Sequence, residues 1–334
     1  MKGKVTIQEI ADHIGLSKYA VSRALSGKSG VSAQTRERIM KTAGQLGYFK
    51  DLPGTSVSSE LIDLDTRTWS GTILVLFPNV RYQNTDSLYW GPIFNGISAR
   101  LNQKKINIVT LTEPEDDSMF TLLNPEAIMG IITVGSISSS ILFDIKRLGI
   151  PVVMVDHLDR SFQSDSIFAD NLSAMREMIG VLIRKGFKKY RFVGNIKEAQ
   201  SFQERWIGCR AELEDAGLDG NAHPIPIGDD LNAFADAMAA VIEQEGLPDA
   251  FICVNDISAK FVIEALEGLG VSLPGQVIVT GFDNTHPTIP ITATVNVDKE
   301  LLGKRAVDQI LWRILNQSSS YEKKLIQAEV IFRN

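Results

Sequence analysis

Apolar positions follow two different periods along this chain. Over residues 5–48 they recur at helical spacing, first Ile10, Ala11 and Ile14, then Val21, Ala24 and Leu25, then Ile39, Ala43 and Leu46. Thr6, with Glu9 three residues on, spells a capping box, and Ser17 and Ser32 open the second and third helices. Gly15 and Gly47 supply helix stops. The short turn between the first two helices is the connection of a helix-turn-helix unit. With Val21, Ala24 and Leu25 turned inward, the second helix leaves Lys18, Tyr19, Ser22 and Arg23 for a partner.

From Gly71 the period changes. Continuous apolar runs of strand length (73–77, 106–111, 128–133, 152–155, then 190–194, 250–254 and 277–281) alternate with amphipathic stretches at 92–103, 139–148, 172–184, 205–216, 233–243, 257–268 and 299–315. Strands apolar on both faces and separated by helices predict parallel sheets covered on both sides, an α/β fold. The restart near residue 165 predicts two such lobes in series. Ligands of this architecture sit beyond the carboxyl ends of the strands. Polar residues stand there: Asp156 after PVVMV, Asn255 and Asp256 after FICV, and Asp283 after VIVTGF. Residues 1–49 are thus predicted to form the helix-turn-helix domain, 50–70 a linker, and 71–334 a two-lobed body. The first lobe takes about 71–163 and 297–324, and the second about 164–296 and 325–334.

Charge separates the same segments. Residues 1–50 hold nine Lys/Arg against three acids, a net of +6, while the whole chain is −6, so residues 51–334 carry −12. A polyanion is attracted to the first part and repelled by the second. No run of 18 or more uncharged apolar residues predicts a membrane span, and no apolar segment follows Lys2 and Lys4 as in an export signal. With Cys209 and Cys253 as the only cysteines, a reducing cytoplasm is expected. His13, His157, His223 and His286 lack zinc spacing, and neither a G-x-S-x-G elbow nor a GxGxxG fingerprint occurs. The SGKS at residues 26–29 looks like part of a phosphate loop but lacks the glycine five residues before Gly27 and a preceding strand, so it is expected to be a turn. The composition therefore points to no cofactor, metal or catalytic residue.

In order along the chain, TIQEIA, GLSKYAVSRALSG, VSAQTRERI, IPVVMVD, the DN of FADNL, GFKKYRFVG, ERWIGCRAEL, VNDISA, VIVTGFDN and Arg333 resemble the LacI/GalR family of bacterial transcriptional regulators. The resemblance implies a periplasmic-binding-protein-like body and a homodimer whose heads dock on a palindromic double-stranded DNA operator, in the bacterial nucleoid. It places base reading on Lys18, Tyr19 and Arg23. Lys and Arg can donate to guanine O6 and N7, and Tyr can donate or lie against a thymine methyl. Thr6, Ser17, Ser22, Ser32 and Thr35 would meet phosphates.

For the effector the resemblance implies Tyr89 and Trp90 as a stacking wall, Asp156 at a strand end, Arg205 opening a second-lobe helix, and Asn255 and Asp283 closing two strands. Trp206 and Asp229 lie nearby in the same alignment. Carboxylates, a guanidinium and an amide around aromatic faces suit a polyhydroxylated ring, hence a sugar or sugar derivative. A nucleobase or a protein partner such as a phosphocarrier is the alternative signal, and a sugar-binding protein without a DNA role the alternative class. The linker departs from the family. Lys50-Asp51 stands where Pro-Asn is expected, then Leu52-Pro53-Gly54, with Val57 near the position of the minor-groove leucine. Pro and Gly break a short helix, so a standard wedge is not expected. Without heptads beyond Leu315 a dimer is expected, not a tetramer.

Overall fold

The computed structural model describes residues 5–26, 30–46, 48, 69–77, 87–112, 125–219, 223–228, 230–273 and 275–333. The chain divides into two compact units between Arg67 and Thr68. The hinge expectation for residues 50–57, the turn at 27–29, Gly47 and Asp229 lie outside the described residues.

The first unit holds helices α1 (Ile7–Ile14), α2 (Lys18–Leu25) and α3 (Ala33–Leu46). The Thr6 capping box is formed in both directions, and Gly15 ends α1 with φ +68, a left-handed conformation that glycine adopts without strain. Ser17 caps α2 by accepting from the Ala20 N–H, and Ser32 accepts from the Thr35 N–H at the start of α3. Ile10, Ala11, Ile14, Val21, Ala24, Ile39 and Ala43 form the core, as the helical stripes predict. Two cations of α3 are structural donors rather than free charges. Arg36 donates to the Ala24 carbonyl at 2.8 Å and Arg38 to the Ile14 carbonyl at 3.2 Å, satisfying helix ends.

The second unit contains two sheets. The first is parallel throughout, in the order β10-β5-β4-β3-β1-β2, from β1 (Thr72–Phe77), β2 (Asn107–Thr112), β3 (Ile128–Val134), β4 (Val152–Val155), β5 (Asp165–Ala169) and β10 (Lys323–Ile326). The second, β11-β9-β8-β7-β6, has β6 (Tyr190–Val193), β7 (Ala250–Cys253), β8 (Ile278–Thr280) and β9 (Ala293–Asn296) parallel, with β11 (Glu329–Phe332) antiparallel at the edge. The helices are α4 (Trp90–Gln103), α5 (Ser139–Arg147), α6 (Asn171–Arg184), α7 (Gln200–Asp215), α8 (Leu231–Glu245), α9 (Asp256–Gly268) and α10 (Lys299–Leu315). The chain passes between sheets after β5, after β9 and after β10.

Two boundaries differ from the sequence reading. β5 belongs to the first sheet, so the change of lobe falls after Ala169 rather than at 164, and β10 runs past 324 to Ile326. The reason is a buried ion pair. Asp165 opens β5 fully buried, and Arg313 of α10 grips both its oxygens at 2.7 Å while donating to the carbonyls of Ser319 and Ser320. A carboxylate inside a strand hides that strand from an apolar pattern. A third difference is α7, which begins at Gln200, so Arg205 lies inside the helix rather than opening it. Ala199 at its N-cap makes no side-chain cap bond, leaving no start signal to read.

Helix α10 packs between α4 and strands β3, β4 and β5. Its contact with α4 is backbone to backbone. A Cβ on Gly96 would fall 2.1 Å from the Glu300 carbonyl oxygen, and one on Gly303 would fall 2.1 Å from that of Ile93. Gly96→Ala should therefore lower stability by about 1–3 kcal/mol despite the better helix propensity of alanine. Gly268→Ala, which meets nothing within 4 Å at the end of α9, should be neutral or stabilising. Thermal unfolding of the two variants checks this; equal melting temperatures would refute the close crossing.

Candidate functional site

The expected effector residues converge at the carboxyl ends of strands, and the backbone there is unusual. Asp156 after β4 has φ +53, and after β8 Asp283 and Asn284 have φ +87 and +49. Left-handed backbone costs a non-glycine residue on the order of 1–3 kcal/mol, least for Asp and Asn, and collects at functional sites. These turns lead the chain sharply off each strand, with Asp156 and Asp283 both buried.

Arg205 is the centre of the cluster, 1% exposed. Its Nη2 donates to Asp283 Oδ1 at 2.8 Å and its Nη1 to Asp283 Oδ2 at 3.3 Å. Nη1 also donates to the Val254 carbonyl and Nε to Asn171 Oδ1. Its guanidinium carbon lies 3.8 Å from the centre of the Phe282 ring, a cation–π stack. Lys299 donates to the Asp283 and Val297 carbonyls, and its ammonium is 6.0 Å from the Tyr89 ring. Burial pulls the Lys299 ammonium below the usual lysine range.

Asp156 is satisfied on one side only. Its Oδ2 accepts from the Tyr89 hydroxyl at 3.2 Å, while its Oδ1 is buried without a hydrogen-bond partner. Burial pushes its carboxyl up to about 7, with Arg205 opposing the rise and Asp283 reinforcing it. The same burial, with Asp156 and Asp283 nearby, pushes the Tyr89 phenol well above its usual range. Tyr89 meets Trp90 edge to face, ring centres 4.7 Å apart.

Five of the expected residues, Tyr89, Trp90, Asp156, Arg205 and Asp283, thus form one connected set. Asn255 sits beside it, one residue past Val254, and its side-chain oxygen caps α9 by accepting from the Ser258 N–H at 2.8 Å. Trp206 turns elsewhere, among Tyr190, Phe192, Cys209 and Leu213, with Arg210 beside its ring. Asp256 is fully buried and ties loops together: it accepts from the Thr294 hydroxyl and from the N–H groups of Thr285 and His286. Sequence reasoning missed Lys299, Asn171 and Phe282. Asn171 and Phe282 stand inside motifs quoted above, FADNL and TGFDN, but nothing in those strings says that both serve Arg205.

In the head, Lys18, Tyr19 and Ser22 are exposed and Arg23 half-buried, all on α2. Thr6, Ser17 and Ser32 each cap a helix. Thr6 also donates its hydroxyl to the Glu9 carboxylate at 3.0 Å, and Ser32 to Thr35 Oγ1 at 2.7 Å. Among the described residues, no group of three His, Cys, Asp or Glu could hold a metal ion, and no helix is long and apolar enough to cross a membrane.

A native carboxyl that titrates above its unfolded counterpart binds more protons when folded, so stability falls as pH rises from about 4 to about 7 and levels off above. Asn tolerates the left-handed backbone of position 156. Asp156→Asn should therefore melt higher than the wild type at pH 8, with the gap closing by pH 5. A gap equal at both pH values contradicts a buried carboxyl that titrates near neutrality.

Comparison with known proteins bears on the family and the fold. Residues 6–51 match the family described as bacterial regulatory proteins, lacI family, and residues 179–334 the periplasmic binding protein-like domain. Catabolite control protein A of Priestia megaterium is 25% identical over 84% of this chain and 83% of its own. The HTH-type transcriptional regulator GalR of Lacticaseibacillus casei is 26% identical over 98% of both. Two solved structures share the fold. The transcriptional regulator CelR–cellobiose complex has TM-score 0.67 at 18% identity, covering 99% of each chain. The lac repressor dimer bound to operator and the anti-inducer ONPF has TM-score 0.63 at 19% identity, covering 99% of this chain and 98% of that one. With a LacI-type DNA-binding domain ahead of a periplasmic-binding-protein-like domain, the chain belongs to the LacI family of transcriptional regulators.

Proposed function

We propose that the protein is a homodimeric repressor that grips a palindromic operator in the nucleoid with its basic heads and releases or tightens that grip when a sugar or sugar derivative enters the cluster around Arg205. One observation carries the choice of ligand. Asp283 is held by Arg205 through both carboxylate oxygens, yet Asp156 Oδ1 is buried with no partner. A buried acceptor left unmade costs about 1–3 kcal/mol, which a ligand hydroxyl donating to it recovers. The Arg205 Nη2 has a second N–H to give the same ring, and the faces of Tyr89 and Trp90 suit its C–H side. Asn255 contributes its amide beside them.

The relatives support the ligand class: CelR is described with cellobiose, and a regulator of the same fold from Enterococcus faecium with bound ribose. Closure of the two lobes around the ligand is the transmitting motion, since a ligand held by groups from both sheets favours the closed state. Lys18, Tyr19 and Arg23 approach base edges; Ser17, Ser22, Ser32, Thr35 and Thr6 lie where phosphates pass. For Thr6 the approach is least favourable, because Glu9 already holds its hydroxyl.

A gel-shift series with genomic fragments tests the reading. The full chain should retain a subset of fragments over random competitor, less strongly as salt rises, and a neutral sugar from a panel of mono- and disaccharides should change that retention. Arg23→Ala should lose about 1–3 kcal/mol of discrimination between retained and random fragments. Retention no better than competitor, with or without sugar, would defeat the proposal.

A further inference from the structure

Tyr19 and Arg23 are not independent on the surface of α2. They stand four residues apart and therefore on one helix face. Arg23 Nη1 donates to the Tyr19 hydroxyl at 2.9 Å, with the guanidinium carbon 5.4 Å from the ring centre. On its other side the guanidinium lies against Gly30, whose φ is +104. A Cβ there would be 3.3 Å from Arg23 Nε and 3.5 Å from Nη2. Tyr19 itself is 70% exposed and contributes nothing to the head's core. An exposed aromatic ring whose hydroxyl accepts from the neighbouring arginine has a task other than packing.

We propose that Tyr19 is a positioning residue: it holds the Arg23 guanidinium between its own ring and the Gly30 backbone, and sharpens the base-pair choice that Arg23 makes. This rests on the DNA-binding reading above. Arginine gives up much rotamer freedom when it docks on a guanine edge, and an arginine held in place beforehand has less to lose. Bidentate recognition of O6 and N7 also needs the guanidinium plane at one angle. A phenol oxygen accepting from Nη1 helps fix that plane. Gly30 serves the same purpose by leaving room for the guanidinium where any side chain would crowd it.

The test is selection from a random-sequence duplex library with the full chain, comparing the wild type with Tyr19→Phe, Arg23→Ala and the double variant. Tyr19→Phe keeps the ring and removes only the acceptor. The wild type should enrich a motif, and Arg23→Ala should lose preference at one base pair per half-site. Tyr19→Phe should weaken preference at that same base pair by about 3- to 10-fold, the range of one hydrogen bond, and leave the other positions unchanged. In the Arg23→Ala background it should change nothing further. A Tyr19→Phe motif identical to the wild type, a loss at a different base pair, or effects that multiply in the double variant would each overturn the proposal. Failure of the wild type to enrich any motif would instead overturn the DNA-binding reading itself.

Discussion

A guanidinium taken out of water must be surrounded by acceptors, and Arg205 finds them on three separate segments of the body. Asn171 follows the last inner strand of the first sheet, Val254 ends a strand of the second, and Asp283 ends the next. Removing one partner of such a pair leaves an uncompensated buried charge, which costs several kcal/mol. The network therefore fixes where the strand ends lie relative to one another. It extends outward as well: Asn171 also donates to Glu204, and Glu204 accepts from Lys323 of β10 at 2.7 Å. The groups around Arg205 are thus built into the same frame that joins the two sheets. A change in what Asp156 and Arg205 contact is consequently a change in how the sheets are held.

The two buried ion pairs differ in what surrounds them. Asp165 and Arg313 pair through both carboxylate oxygens, and Arg313 also donates to the carbonyls of Ser319 and Ser320. Asp283 and Arg205 are nearly as well satisfied but have beside them, in Asp156, a buried acceptor that lacks a donor. Arginine's planar fork suits both tasks, since its bidentate geometry leaves further N–H groups for a second partner. Burial pulls the His157 imidazole, beside Asp156, below its usual value, with Asp159 opposing the shift.

Much of this was legible in the sequence. The head's three helices, their caps and their core follow from Thr6, Ser17, Ser32, Gly15 and the apolar stripes, because those signals act within a few residues of each other. The strands of the two sheets were visible where they are uniformly apolar, as at Val152–Val155. They were lost where polar or charged residues interrupt the pattern: Asp165 hid β5, Thr294 and Asn296 hid β9, Lys323 and Lys324 hid β10, and Glu329 hid β11. At the site, strand-end acids could be named, but not their unequal fates. Asp283 is consumed by Arg205, Asp256 by loop N–H groups, and only Asp156 keeps an unpartnered oxygen. That outcome depends on contacts spanning from 29 to 78 residues of sequence, beyond the reach of any local pattern.

The claim that the ligand cluster and the DNA-binding head share one free-energy balance is tested most directly by reciprocity. Titrate the full chain calorimetrically with a sugar that raises its melting temperature, once alone and once saturated with a retained duplex. Linkage requires the sugar's Kd to shift by the same factor by which the sugar shifts the duplex's Kd. A matching shift is the predicted result. An unchanged sugar Kd, in the face of tight binding by both partners, would contradict the account.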